Sequence, residues 1–196
     1  TAVNGLGSAY VAAQTAAGRV GNFFCTPFDA LGSTMATYGG QNVGAKKLER
    51  LNKGLRSASM VGVIYSVIAL AVMIFFGRSL AALFVSGAEN EILDSARLFL
   101  VINAAFYVPL TFVNVVRFMI QGMGYSALAV LSGVFEMIGR MAAAIFLIPV
   151  IGYTGACFAS PIAWILADAF LFPAYFHVRK RTYQLYHMDP AEPEPE

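Results

Sequence analysis

Long apolar runs alternate with short charged or turn-forming junctions along the whole chain, changing about every thirty residues. Runs such as 60–76 (MVGVIYSVIALAVMIFF) and 141–151 (MAAAIFLIPVI) are hydrophobic on every side of a helix. A helix that is apolar all round has no solvated face, and about 20 such residues cross a hydrocarbon core of roughly 30 Å. The pattern predicts five helices, over about 8–38, 57–84, 92–121, 126–149 and 154–178. The first exceeds a minimal span and is interrupted by Gly and Pro. It is expected to tilt or to kink at Pro27, where a backbone donor is lost and the ring meets the preceding turn. Residues 1–181 then form one transmembrane bundle. The polar stretch 182–196, ending AEPEPE, is expected to be a disordered tail. The fold class is an all-α polytopic membrane protein.

Composition sharpens this reading. The 196 residues are 58% hydrophobic and 12% charged, which leaves no room for a soluble domain beside the spans. Net charge is only +2 and the bases sit in two clusters, so no nucleic-acid partner is expected. Cys25 and Cys157 both lie in apolar segments and read as small core residues rather than a disulfide. His177 and His187 show no ligand spacing with them, so no metal site is expected. There is no phosphate-binding loop and no nucleophile–base pair, which speaks against an enzyme or a bound cofactor.

Loop charge predicts orientation. Lys46, Lys47, Arg50, Lys53 and Arg56 follow the first helix, and Arg179, Lys180 and Arg181 close the fifth. The positive-inside bias places both clusters, and so the C-terminus, in the cytoplasm. The second junction sets Glu89, Glu91 and Asp94 against Arg78, as an outer loop can. Thr1 then falls outside without a signal peptide, which predicts a further helix upstream: a bundle of at least six helices of which these are the last five.

Ionisable groups at membrane depth cost several kcal/mol, so each needs a partner or a purpose. Glu136 and Arg140 stand four apart with the acid first, a spacing that puts them on one helix face. They read either as an ion pair that pins packing or as a pair that opens when protons or cations compete for Glu136. Asp168, near the middle of the fifth helix, has no base four positions away. It reads either as a carboxyl held by a neighbouring helix or as one a proton-coupled carrier would use. Asp29 follows the Pro27 interruption, where freed backbone groups or a cation could meet it. Arg117 is read as snorkelling to the interface. Asn103, Tyr107 and Asn114 repeat at four and seven on the third helix and form either a cavity wall or an interhelical hydrogen-bonding face. Gly18, Gly21, Gly133 and Gly139 would let helix backbones approach.

Several segments carry a more specific pattern. The stretch 27–32 (PFDALG) is followed by 40–50 (GQNVGAKKLER), with Gln41, Asn42 and Gly44 at its centre. Next come 117–125 (RFMIQGMGY), with Arg117, Gln121 and Gly122, then 136–140 (EMIGR), 151–156 (IGYTGA) and 161–164 (PIAW). In order and spacing these resemble motifs of the multidrug and toxic compound extrusion (MATE) family, over nearly everything from Gly5 to Arg181. The resemblance implies two six-helix bundles around a cavity open alternately to each side. By this comparison the chain is five transmembrane helices of a six-helix MATE-type bundle, helices eight to twelve, with the N-terminal bundle as its missing partner. It also implies export of cationic or amphipathic compounds across the plasma membrane in exchange for Na⁺ or H⁺. The family's coupling acids lie on its first helix and, in some members, on the seventh and tenth. The third helix here, matching the tenth, has no mid-membrane acid; Asp94 is at its outer end. Two other readings stand beside an antiporter: a lipid-linked oligosaccharide flippase with a more cationic cavity, and a non-transporting fragment or assembly partner.

Overall fold

The computed structural model describes residues 8–84 and 90–186. Eight α-helices occur there in chain order: α1 (Ser8–Gly44), α2 (Glu49–Ala82), α3 (Asn90–Ala105), α4 (Tyr107–Gly122), α5 (Ser126–Ala142), α6 (Ile148–Ile151), α7 (Tyr153–Cys157) and α8 (Ala159–Leu185). A π-helical turn, Ala143–Leu147, joins α5 to α6. They make five rods: α1, α2, α3 with α4, α5 through α6, and α7 with α8. The rods match the five expected segments.

Three of the rods are interrupted, at Phe106, at Ala143–Leu147 and at Phe158, and a proline follows each break by two to three residues. The α3/α4 rod bends by 52° at Phe106. Pro109 has no N–H for the Ala105 carbonyl, and the Phe106 N–H bonds Asn103 in a tighter turn instead. In the fourth rod Pro149 is preceded by the π turn, where the Ile148 N–H reaches the Ala143 carbonyl five residues back. Pro27, the expected hinge, is carried inside an unbroken 37-residue helix. The interruptions before Pro109 and Pro149 were not among the expected hinges.

Four rods are long and apolar enough to cross a membrane when the bent pair counts as one. The fifth, α1, is long enough but not apolar enough, and the reason is visible along its exposed side. Thr15, Arg19, Asn22, Thr26, Asp29, Ser33, Thr37 and Gln41 are all exposed and recur every three or four residues. They form one polar stripe down the helix. The opposite side of α1 packs on α4, α3 and α2, and α5 packs chiefly on α8. Exposed apolar side chains such as Val67, Phe75 and Phe76 on α2 face outward, as on a lipid-bathed surface.

Close helix approach is concentrated at a few glycines. A Cβ on Gly122 would overlap the Ala36 carbonyl oxygen of α1, and one on Gly139 would lie 2.7 Å from the Ala163 Cα of α8. Gly18, Gly21 and Gly133 have open space and do not serve the packing role expected of them. The last helix runs to Leu185, with Thr182 and Tyr183 buried. Residues 182–185 therefore belong to the bundle rather than to the expected tail, because their inner face still finds packing partners. His187 and the AEPEPE end lie outside the described residues, as does Glu89.

Candidate functional site

A cavity of about 340 Å³ opens in the middle of the bundle, walled by α1, α3, α4, α5 and α8. The α3/α4 bend shapes it, because Asn103 comes from one side of the break and Tyr107, Asn114 and Arg117 from the other. Both asparagines turn their amide nitrogens to their own helix, donating to the Phe99 and Leu110 carbonyls at 2.9 and 3.1 Å. Asn103 also donates to the Cys157 carbonyl at 3.3 Å, which ties α3 to α7.

The charged wall is an Arg–Glu–Arg triad. Glu136 Oε2 accepts from Arg140 Nη2 at 2.9 Å along α5, and Oε1 accepts from Arg117 Nη2 across from α4. Arg117 Nε also donates to Ser132 Oγ at 2.8 Å. Arg117 is thus not a snorkelling side chain. It turns inward because a carboxylate and a hydroxyl on the next helix give it partners that lipid cannot. Glu136 and Ser132 are buried, whereas the Arg140 side chain is 49% exposed. One carboxylate shared by two guanidinium groups leaves the triad itself with one positive charge, carried mainly by Arg140, and Asp29 on the same cavity lining offsets it.

Asp29 also faces this cavity, from the polar stripe of α1. Among the described residues neither Asp29 nor Arg19 takes part in an ion pair. Asp168 lies one turn beyond Trp164 on α8, buried behind the cavity rather than lining it. Its Oδ1 has no hydrogen-bond partner among the described residues.

Some of the lining was not identified from sequence. Cys25, read as a core residue, is half-buried and lines the cavity alongside Tyr107. Cys157 is fully buried. The spacing of Asn22, Cys25 and Asp29 at three and four would have placed Cys25 on the polar face of α1. The Trp164 ring lies tilted against Tyr107 at 6.2 Å, and Tyr107 itself packs edge-on to Phe28. Tyr107 and Trp164 line the cavity, whereas Phe23, Phe24, Phe28 and Phe106 do not.

The junction after α1 is structural. Buried Asn42 donates to the Tyr38 carbonyl at 2.8 Å, and its own carbonyl accepts from the Lys47 N–H at 2.8 Å. Gln41 accepts from the Ala45 N–H at 2.9 Å, and Tyr38 Oη donates to the Arg50 carbonyl at 2.9 Å. Gly44 is the last residue of α1 and sits in open space. At the end of α4 the Gln121 carbonyl accepts from Gly124, and Gly122 makes the contact with Ala36. Lys46 lies over the Tyr186 ring at 5.9 Å, so the α1–α2 turn and the end of α8 share one end of the bundle. Arg78 and Asp94, 3.4 Å apart, join α2 to α3.

Four apolar rods and the polar-striped α1 around a polar cavity make a bundle of membrane-embedded type. The MatE family model matches residues 1–145, and the chain belongs to that family. The fold is shared with solved transporter structures. One, an inward-facing multidrug resistance MATE family transporter of the MOP superfamily, matches with a TM-score of 0.82 at 21% identity over 97% of this chain. A MATE in a bent conformation matches with a TM-score of 0.79 at 19% identity over 100%. A MOP superfamily transporter from Pyrococcus furiosus, whose reversed pocket polarity is said to suggest a different function, matches with a TM-score of 0.78 at 21% identity over 97%. The chain spans 43–44% of the length of these three. No curated protein matches it at a significant level.

Proposed function

We propose that this chain is the C-terminal bundle of a secondary active multidrug/cation antiporter of the plasma membrane, exporting cationic or amphipathic compounds in exchange for Na⁺ or H⁺. The observation that carries the proposal is the cavity, in which three charges from two helices and Asp29 from a third meet at membrane depth. In this reading substrate binds between two bundles, and the coupling ion biases their rocking by binding one state better than the other. The other half of such a transporter is the partner, and it faces the polar stripe of α1. Glu136 acts as a switch, because losing its charge would leave Arg117 and Arg140 unbalanced and release α4 from α5. No chemical step on substrate is involved, and no cofactor beyond the coupling ion. The basic charge at the shared end of the bundle, with Lys46, Lys47, Arg50 and Arg179–Arg181, supports a cytoplasmic position for it.

The two guanidinium groups of the triad support one second reading, a flippase whose cavity takes a lipid pyrophosphate. Gradient-driven flux in proteoliposomes containing the assembled transporter separates the two. The antiporter reading expects uptake of a lipophilic cation that responds to an imposed Na⁺ or H⁺ gradient and collapses in Glu136→Gln. Unchanged flux in that variant at normal expression rejects Glu136 as the switch. Gradient-independent movement of a pyrophosphoryl lipid, with no cation flux, supports the flippase.

A further inference from the structure

The outer side of α8 carries a feature that the transport cavity does not use. An apolar groove of about 350 Å³ lies between α5 and α8, lined by Leu128, Phe170, Pro173 and His177 among others. A second, polar groove of about 440 Å³ is lined by His177, Lys180, Arg181 and Gln184. His177 lines both, so the two adjoin at that residue. From Ala169 to Gln184 the stripe follows one face of α8 for about 22 Å, apolar first and basic last. That is the profile of one phospholipid, with an acyl chain in the membrane and a headgroup at the interface.

We infer that this stripe is a binding site for an anionic phospholipid. The bases at its end are available for a headgroup. Arg179, beside them in sequence, turns the other way. It donates to the Asn52 amide oxygen at 2.9 Å and lies over the Tyr183 ring at 5.2 Å. Lys180 and Arg181 are exposed and take part in no ion pair among the described residues. Arg181 lies over the Tyr125 ring at 5.9 Å, which leans it towards the start of α5 and over the groove mouth. A phosphate there meets two cations and the His177 and Gln184 side chains, while the chain below covers Phe170 and Pro173. Juxtamembrane bases near an anionic leaflet each contribute about 1 kcal/mol, or roughly fivefold in affinity.

The test is lipid retention by the full-length protein in nanodiscs, with dioleoylphosphatidylglycerol competing against dioleoylphosphatidylcholine and bound lipid read by native mass spectrometry. The expected preference for the anionic lipid is roughly 25-fold, fivefold for each of two bases. It should fall to near parity in the Lys180→Gln, Arg181→Gln double variant. Ala169→Trp, which fills the apolar groove from an exposed position, should lower retention of both lipids. Lys46→Gln with Lys47→Gln, at the same end of the bundle, should leave the preference intact. An unchanged preference in the Lys180/Arg181 variant overturns the site. So does an equal loss in the Lys46/Lys47 variant, which would mark a diffuse surface attraction. Displacement of the lipid by glycerol 3-phosphate at comparable concentration would show that only phosphate is read, and overturns the lipid assignment.

Discussion

Removing Glu136 should destabilise the bundle far more than removing either of its arginines. Its carboxylate is the one acid between Arg117 and Arg140, and their side chains are 10%, 22% and 49% exposed in that order. Glu136→Ala strands Arg117 between α4 and α5, a loss of about 3 kcal/mol for a buried charge left without its partner. For a chain of this size that is a fall of roughly 6–12 °C in melting temperature. Arg140→Gln leaves Glu136 paired with Arg117, and Arg140 is half in water, so its loss should stay below about 1 kcal/mol. Arg117→Gln should fall between them, because it also empties the bond to Ser132. Glu136→Ala combined with Arg117→Leu should be less destabilised than the sum of the two single changes, since the second removes the charge that the first exposed. The assay is thermal unfolding of the purified protein in one detergent, with all variants at equal concentration. Equal shifts for Glu136→Ala and Arg140→Gln, or strict additivity in the double variant, would refute the triad as a coupled unit.

Three further outcomes follow from the packing. Gly122→Ala should lower stability by about 1–3 kcal/mol or more by pushing α4 off the Ala36 carbonyl, whereas Gly133→Ala, in open space, should change melting little. Gly139→Ala should separate α5 from α8 at Ala163 and lower stability in the same way, read by the same melting assay. Asp168→Asn should leave melting within about 1 kcal/mol, because the Oδ1 atom has no partner to lose; a collapse of the fold would show that the carboxylate is structurally required.

The five rods were legible because hydrophobicity along a membrane helix is a local property, written in runs such as 60–76. The Glu136–Arg140 pair was legible for the same reason, since both groups lie on one helix four residues apart. Arg117 was not, because what turns it inward is Glu136 and Ser132 on the next helix. The break before Pro109 was not foreseen, because a proline in sequence marks only a missing donor. Whether the helix bends depends on its packing, and α1 stays continuous through Pro27 while α3/α4 breaks before Pro109. The polar stripe of α1 was present in the spacing of Thr15, Arg19, Asn22, Thr26 and Asp29 but was hidden among apolar neighbours. Cys25 was read by its residue type, whereas its position beside Asn22 and Asp29 is what brings it to the cavity.

The most direct test of the cavity as the substrate site uses its own cysteine. In the assembled transporter Cys25 should react with a small maleimide, while fully buried Cys157 stays unreactive. A saturating lipophilic cation such as tetraphenylphosphonium should slow labelling of Cys25 by at least about tenfold, because a ligand filling about 340 Å³ leaves the thiol no open side. An unchanged labelling rate at a concentration that saturates transport would contradict the placement of substrate in this cavity.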